Sequence, residues 1–365
     1  MQKGYYGKEA IGNLSQVIKK EKVNKIFLVT GKESFKISGA EESLNKILES
    51  CEIERFMDFS SNPKLEEINR GLAIFRKNKF DLIIAVGGGS SIDVAKAIKL
   101  FYYRECNKKV PMVAIPTTTG TGSESTYFIV YYKGKDKISE GIPEITLPEY
   151  YILERRFLAS LPSRIVAETA LDAFSQSIES YWSIHSTDKS KSYAEKAIKL
   201  ILDNILRAVN DCDLDAREKL LEAANFSGRA INISKTTVCH SIAYPITSYF
   251  GVAHGHAAAL TLGEILVFNS KVSERDCADK RGVGYAKQII DRLVKILGVS
   301  NPEEARQLIQ KLMQGIKIET RLSSLGISSK KEEIILEHGF NPERVRNNPR
   351  ILSREDLAKI LNNIY

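Results

Sequence analysis

The stretch DLIIAVGGGSSIDVAKAIKLF, residues 81–101, decides the fold. Asp81–Val86 is an apolar run without polar alternation, the pattern of a strand buried on both faces. Gly87-Gly88-Gly89-Ser90 interrupts it, and Ile92–Phe101 continues with helical periodicity. A buried strand that passes through glycines into a helix is the repeating unit of a parallel α/β sheet. The same pattern lies on either side. Lys25–Thr30 (KIFLVT) ends at Gly31, and Val110–Ile115 (VPMVAI) runs into Pro116-Thr117-Thr118-Thr119-Gly120-Thr121-Gly122. Between them, 41–50 and 65–77 read as helices, with Leu44, Ile47 and Leu48, then Ile68, Leu72 and Phe75, at helical spacing. The expectation is a doubly wound, parallel α/β domain over residues 1–157.

Beyond Leu161-Pro162 the pattern changes. Residues 165–183, 190–209, 216–233, 240–268, 286–297 and 302–313 read as long helices with few β-branched runs between them. An all-α domain over residues 158–365 is expected, with no internal repeat.

Composition narrows the class. The chain has 365 residues, 43% hydrophobic and 27% charged, which excludes disorder, collagen-like repeats and a disulfide scaffold. Its five cysteines form no C-x-x-C pair and suit a reduced protein. Met1–Ala10 has no charged-then-apolar leader, and the longest apolar runs fall far short of the roughly 20 residues that span a bilayer. A cytoplasmic location is expected. The net charge of +8 is spread along the chain among acidic residues, a mixed surface rather than a nucleic-acid face. Three of the five histidines, His240, His254 and His256, cluster in one segment.

Two loops invite phosphates. Gly87, Gly88, Gly89 and Ser90 stand where a strand ends and a helix begins, so backbone N–H groups and the helix end could hold a pyrophosphate; Asp93 and Lys96 follow on the first turns. A glycine triplet alone reads equally as a tight turn. Thr117, Thr118 and Thr121 add hydroxyls at the next strand end, and two such loops form a crevice at the carboxyl edge of a sheet. At the first strand end, Gly31 is followed by Lys32 and Ser34. With glycine rather than a carboxylate at that position and Lys32 beside it, this favours NADP, with NAD the alternative, although an ordinary strand-end turn reads nearly as well.

In the helical half Asp172 and Gln176 share one helix face. A buried Asp is rare unless it is paired or metal-bound. With His240 and His254 it would suit a divalent cation, ferrous iron or zinc, although a single core histidine is more often structural.

In order and spacing, GGGSSIDVAKAI (87–98), PTTTGTGSES (116–125), LDAFSQSIES (171–180) and HSIAYPITSYFGVAHGHAAAL (240–260) resemble the iron-containing (group III) alcohol dehydrogenases. Asn347-Asn348-Pro349-Arg350 resembles that family's tail. The resemblance implies the dehydroquinate synthase-like architecture, with an α/β Rossmann-like N-terminal domain, an all-α C-terminal domain, and cofactor and metal held in a cleft between them. It implies Gly87, Gly88, Gly89 and Ser90 as the pyrophosphate loop and Thr117, Thr118 and Thr121 as nucleotide contacts. Asp172, His240 and His254 become metal ligands, and Gln176 takes the place of a fourth, usually a histidine. Tyr244 stands where many members have an active-site histidine, and Gly31 where NAD-preferring members have an aspartate.

Residues 171–194 and 228–257 look like the branch of that family that reduces phosphonoacetaldehyde. A phosphonate dianion would then meet Arg229, Lys235 or Arg164. The expected chemistry is NAD(P)H-linked reduction of a small aldehyde to a primary alcohol by a homodimer, with Tyr244 or His256 relaying the proton. A general short-chain alcohol dehydrogenase and a dehydroquinate-synthase-like lyase are the rivals.

Overall fold

In the computed structural model, which describes residues 2–134 and 136–365, the chain divides into two compact units, Met1–Pro162 and Ser163–Tyr365. The first is built on strands β1 (Lys3–Tyr6), β2 (Lys25–Thr30), β3 (Glu52–Phe56), β4 (Leu82–Gly87), β5 (Met112–Pro116), β6 (Ile129–Lys133), β7 (Asp136–Glu140) and β8 (Tyr150–Leu153). Six of them form a parallel sheet in the order β1-β8-β5-β4-β2-β3, while β6 and β7 pair as an antiparallel ribbon.

Alternation along the central strands explains the double winding. Ile26, Leu28, Ile84, Val86, Val113 and Ile115 enter one core, on the face that also buries Leu14 and Leu44. Phe27, Val29, Ile83, Ala85, Met112 and Ala114 enter the other, with Leu72, Phe75 and Ile98. There the Phe27 ring meets Phe75 edge-on at 5.1 Å between centroids. Both faces are covered, so these strands read as unbroken apolar runs.

The central strands and the helix Leu65–Lys77 lie where periodicity puts them; the helix after Gly88 is longer than expected, Gly89–Cys106. Periodicity passes over β1, β3, β8 and the ribbon. β1 and β3 are the sheet edges, and β3 (EIERF) mixes charged and apolar residues, with Glu52 and Ile53 exposed. Edge strands tolerate that pattern because one side faces water.

The second unit is helical. Ser163–Trp182 is buried almost without break from Ala170 to Trp182. It packs against Asp188–Asn210, Leu214–Ser234 and His254–Ser270. The last is apolar on all sides and buried from Gly255 to Asn269, as expected of a central helix. The expected single stretch 240–268 is two helices, Val238–Phe250 and His254–Ser270. Gly251, at φ +72°, ends the first as a left-handed cap. Among the described residues no helix is long and apolar enough to cross a membrane.

Candidate active site

The three glycine-bearing strand ends lie side by side. β2 pairs with both β3 and β4, and the chain leaves β2 one way and β4 the other. In α/β sheets, ligands bind at the carboxyl ends of the strands where the winding reverses in this way, here β2 and β4. Gly31 ends β2, and Gly87, at φ +148°, ends β4. Thr117 donates its N–H to the Gly87 carbonyl at 3.0 Å, joining the loops that follow β4 and β5. A Cβ on Gly88 would lie 3.2 Å from the Thr118 methyl, and one on Gly89 would lie 2.9 Å from the Thr121 methyl. The glycines therefore let the two loops pack together at the start of the Gly89–Cys106 helix.

Ser90 Oγ donates to the Ser61 carbonyl. Asp93 accepts from Ser123 Oγ at 2.6 Å and from the Val130 N–H at 3.1 Å. Lys96, fully buried, donates to the carbonyls of Ser123 at 2.6 Å and Phe128 at 3.0 Å. Asp93 and Lys96 thus fasten the second loop to this helix from behind. Lys32 is exposed, 4.0 Å from Asp58. The guanidinium of Arg55, which sequence reading did not single out, donates to Thr30 Oγ1 at 2.8 Å and the Gly31 carbonyl at 3.3 Å. Ser34 begins the short helix Ser34–Ile37, its Oγ 2.3 Å from where a Gly31 Cβ would stand.

In the helical unit Asp172, His240 and His254 each offer one ligand atom, and the three atoms lie within 4.8 Å of one another. His240 Nε2 is 3.3 Å from Asp172 Oδ1. Gly255 explains the convergence, because a Cβ there would stand 2.0 Å from the Glu168 carbonyl and 2.7 Å from Asp172 Cβ. Only glycine lets the helix begun by His254 approach the Asp172 helix so closely. Gln176, one turn beyond Asp172, is buried, and its Oε1 accepts from Ser227 Oγ at 2.8 Å.

Glu179, also missed in the sequence, holds this cluster in place. Two turns beyond Asp172 and fully buried, it bonds His240 Nδ1. Its other oxygen accepts from the N–H groups of Thr237 (3.1 Å), Cys239 (2.8 Å) and His240 (3.4 Å), and from Thr237 Oγ1 (2.8 Å). It thereby caps the helix Val238–Phe250 from a neighbouring helix. Burial alone would lower the His240 pKa, but Glu179 and Asp172 outweigh it and push it up to about 9. Burial works against the Glu179 carboxylate as well, yet His240 and Thr237 hold its pKa below the ordinary value. One carboxylate and two imidazoles, one ring held from behind by a second carboxylate, could hold a divalent cation.

Tyr244, one turn after His240, stacks on the His254 ring with centroids 5.9 Å apart. Its hydroxyl accepts from Arg344 Nε at 3.1 Å. His256 is buried and turned elsewhere, Nε2 lying 2.7 Å from the Glu319 carbonyl; burial holds its pKa below the ordinary value. Arg164 pairs with Glu168 (2.6 Å) and Glu319 (3.0 Å). Arg229 lies over the Tyr193 ring at 5.8 Å. Lys235 ends the helix Leu214–Ser234 at φ +63°.

Comparison with known proteins agrees with this arrangement. A family model described as iron-containing alcohol dehydrogenase matches residues 2–155, and one for the C-terminal part of that family matches residues 166–365. The chain belongs to the iron-containing alcohol dehydrogenase family. This dehydrogenase is 33% identical to a phosphonoacetaldehyde reductase of Streptomyces viridochromogenes over 78% of its own length and 76% of the relative's. It is 29% identical to an NADPH-dependent butanol dehydrogenase of Clostridium saccharobutylicum, covering 99% and 96%. Among solved structures it superposes on the sulfoacetaldehyde reductase of Bifidobacterium kashiwanohense in complex with NAD+, with a TM-score of 0.86, 27% identity, and 100% and 96% of the two chains covered. The family's alcohol dehydrogenase and aldehyde reductase chemistry makes the chain an oxidoreductase.

Proposed function

We propose that the protein reduces a small aldehyde to a primary alcohol with a nicotinamide cofactor, preferring NADPH, and that phosphonoacetaldehyde is its substrate. The observation that carries the reading is the convergence of Asp172, His240 and His254 in a chain of this family. The 33% identity to a phosphonoacetaldehyde reductase supports the substrate. The open strand end at Gly31 and the adjoining Arg55 and Lys32 support the 2′-phosphate.

The loops 87–90 and 117–121 would receive the nucleotide, and Asp172, His240 and His254 the cation, with Gln176 beside them. A bound divalent cation would polarise the substrate carbonyl as a Lewis acid, while the nicotinamide would supply the hydride. Glu179 keeps the Nδ1 edge of His240 occupied, so that Nε2 faces the cluster. Tyr244 is better placed than His256 to hand a proton to the nascent alcohol, because its ring lies on His254 while His256 is bonded to Glu319.

The test compares phosphonoacetaldehyde, butyraldehyde and acetaldehyde under NADPH and NADH, in wild type and in His254→Ala. A preference for phosphonoacetaldehyde with NADPH, lost together with bound cation in His254→Ala, is expected. Equal use of all three aldehydes would favour a general short-chain enzyme, a reading supported by the likeness to butanol dehydrogenase over 99% of the chain. Full activity in His254→Ala would remove the metal role.

A further inference from the structure

We infer that Arg344 is the cation that receives the anionic head of the substrate, making the enzyme selective for small aldehydes that carry a tetrahedral oxyanion. This inference rests on the aldehyde-reductase reading above and adds the residue that sets its specificity.

The argument starts from how the segment around Arg344 is held. Ser241, directly after the ligand candidate His240, donates its hydroxyl to the Gly339 carbonyl and accepts from the Asn341 N–H at 2.7 Å. Asn341 in turn caps the short helix Pro342–Val345, accepting from the Glu343 N–H at 3.0 Å. At the far end, Asn347 Nδ2 donates to the Thr236 carbonyl at 2.9 Å, and the Asn347 carbonyl accepts from the Ile184 N–H at 3.0 Å. Both clamps grip the chain on either side of His240. Between them Arg344 is half-buried and donates through Nε to Tyr244 Oη at 3.1 Å. The Tyr244 ring rests on His254, whose own ring lies 5.4 Å from that of His240. The guanidinium is therefore tied, through one side chain, to the cluster at which a carbonyl would be activated.

Its chemistry suits the task. A guanidinium keeps its charge at any working pH, and its planar fork of N–H donors matches two oxygens of a phosphonate or sulfonate. The three cations picked out by sequence are placed less well. Arg164 already serves two carboxylates, and Arg229 lies over an aromatic ring. Lys235 sits on the strained turn that ends its helix, and the structure ties it to no group of the cluster. Arg344 is hydrogen-bonded to a side chain, Tyr244, that itself stacks on a ligand candidate, His254.

The experiment has a binding arm and a turnover arm. Titration calorimetry follows ethylphosphonate, a head group without a carbonyl, into the metal-loaded enzyme with NADP present. Arg344→Ala should bind it about 10- to 100-fold more weakly, the worth of a lost charge-assisted hydrogen bond, and Arg344→Lys should recover part of the loss. Turnover compares phosphonoacetaldehyde, sulfoacetaldehyde and butyraldehyde. In Arg344→Ala the kcat/KM ratio of each anionic aldehyde to butyraldehyde should fall by a similar factor, mainly through KM. The wild-type order of the two anions then tells a phosphonate site from a sulfonate site. Thermal unfolding checks that the variants fold; if Arg344→Ala does not, Arg344→Gln takes its place. Unchanged ethylphosphonate affinity in the variant, or an equal loss for charged and neutral aldehydes, overturns the assignment. Wild-type reduction of butyraldehyde with no binding of ethylphosphonate overturns it too, yet leaves the reductase reading standing. Ethylphosphonate binding that depends on Arg344 in a protein that reduces no aldehyde does the reverse.

Discussion

Glu179 grips His240 from two directions, one carboxylate oxygen meeting ring Nδ1 while the other accepts from the His240 backbone N–H at 3.4 Å. The ring and the helix that carries it are therefore set by the same residue. In Glu179→Gln the ring loses its anionic partner and the helix Val238–Phe250 loses a charged cap. Cation affinity should fall about 10- to 100-fold, the usual effect of removing such a partner behind a ligand histidine. Metal-free stability should fall by about 1–3 kcal/mol. Competition with a chromophoric chelator reads the first and urea unfolding the second. A variant that keeps its cation as tightly as wild type would show that Glu179 serves the fold alone.

Gly255 supplies the second prediction. A methyl group there would meet the Glu168 carbonyl at 2.0 Å, a backbone atom that cannot swing aside. Gly255→Ala should push the His254 helix away from the Asp172 helix, costing about 1–3 kcal/mol as overpacking does and weakening cation binding. Gly284→Ala is the control, since nothing lies within 4 Å of that Cβ and the site is an exposed helix. It should be neutral or slightly stabilising. Equal stability of the two variants would contradict the close approach.

These two residues also mark how far the sequence could be read. The parallel sheet was legible because strands buried on both faces have no polar alternation, and DLIIAV is the plainest case. The helical half was legible from its periodicity. β3 was not, because an edge strand carries Glu52 and Glu54 and resembles a loop. Within the site, Asp172, His240 and His254 stood out as residue types that need a reason to be buried. Glu179 carried a usable signal, two turns beyond Asp172 on the same helix. Arg344 carried none. Its partner Tyr244 is 100 residues away, and tertiary contacts such as the clamps at Ser241 and Asn347 bring them together.

Lys96 predicts a pH dependence of stability. Burial pushes its pKa down from 10.5 to about 8, against the pull of Asp93 and Glu124. Below pH 8 both folded and unfolded chains hold the proton, and the folded state carries the full cost of a buried charge. Between pH 8 and 10.5 the unfolded chain still holds a proton that the folded one has released, so this group makes stability rise with pH. Lys96→Met lacks the group. The stability of wild type minus that of the variant should therefore increase from pH 8 to 10.5 and stay flat from pH 6 to 7.5. Urea midpoints across that range measure it, and a gap that narrows on going alkaline would refute the sign.

Gly31 tests the cofactor preference. The Cβ of Gly31→Asp would meet only Ser34 Oγ closely, at 2.3 Å, with Ser34 Cβ at 3.6 Å. That hydroxyl can rotate away, so the variant should fold. Its carboxylate would stand beside Arg55, which donates to the Gly31 carbonyl at 3.3 Å and also pairs with Glu41 at 3.3 Å. An added anion there offsets the charge of Arg55, accepts hydrogen bonds from ribose hydroxyls and repels a 2′-phosphate. The kcat/KM ratio of NADPH to NADH should drop at least about fivefold, with the NADPH loss appearing in KM, since a like charge brought close costs about 1 kcal/mol or more. Arg55→Ala should lower the same ratio from the other side by removing the cation rather than adding an anion. If neither variant moves the ratio, the strand end at Gly31 does not read the 2′ position, and the preference for NADPH must come from elsewhere in the nucleotide loops.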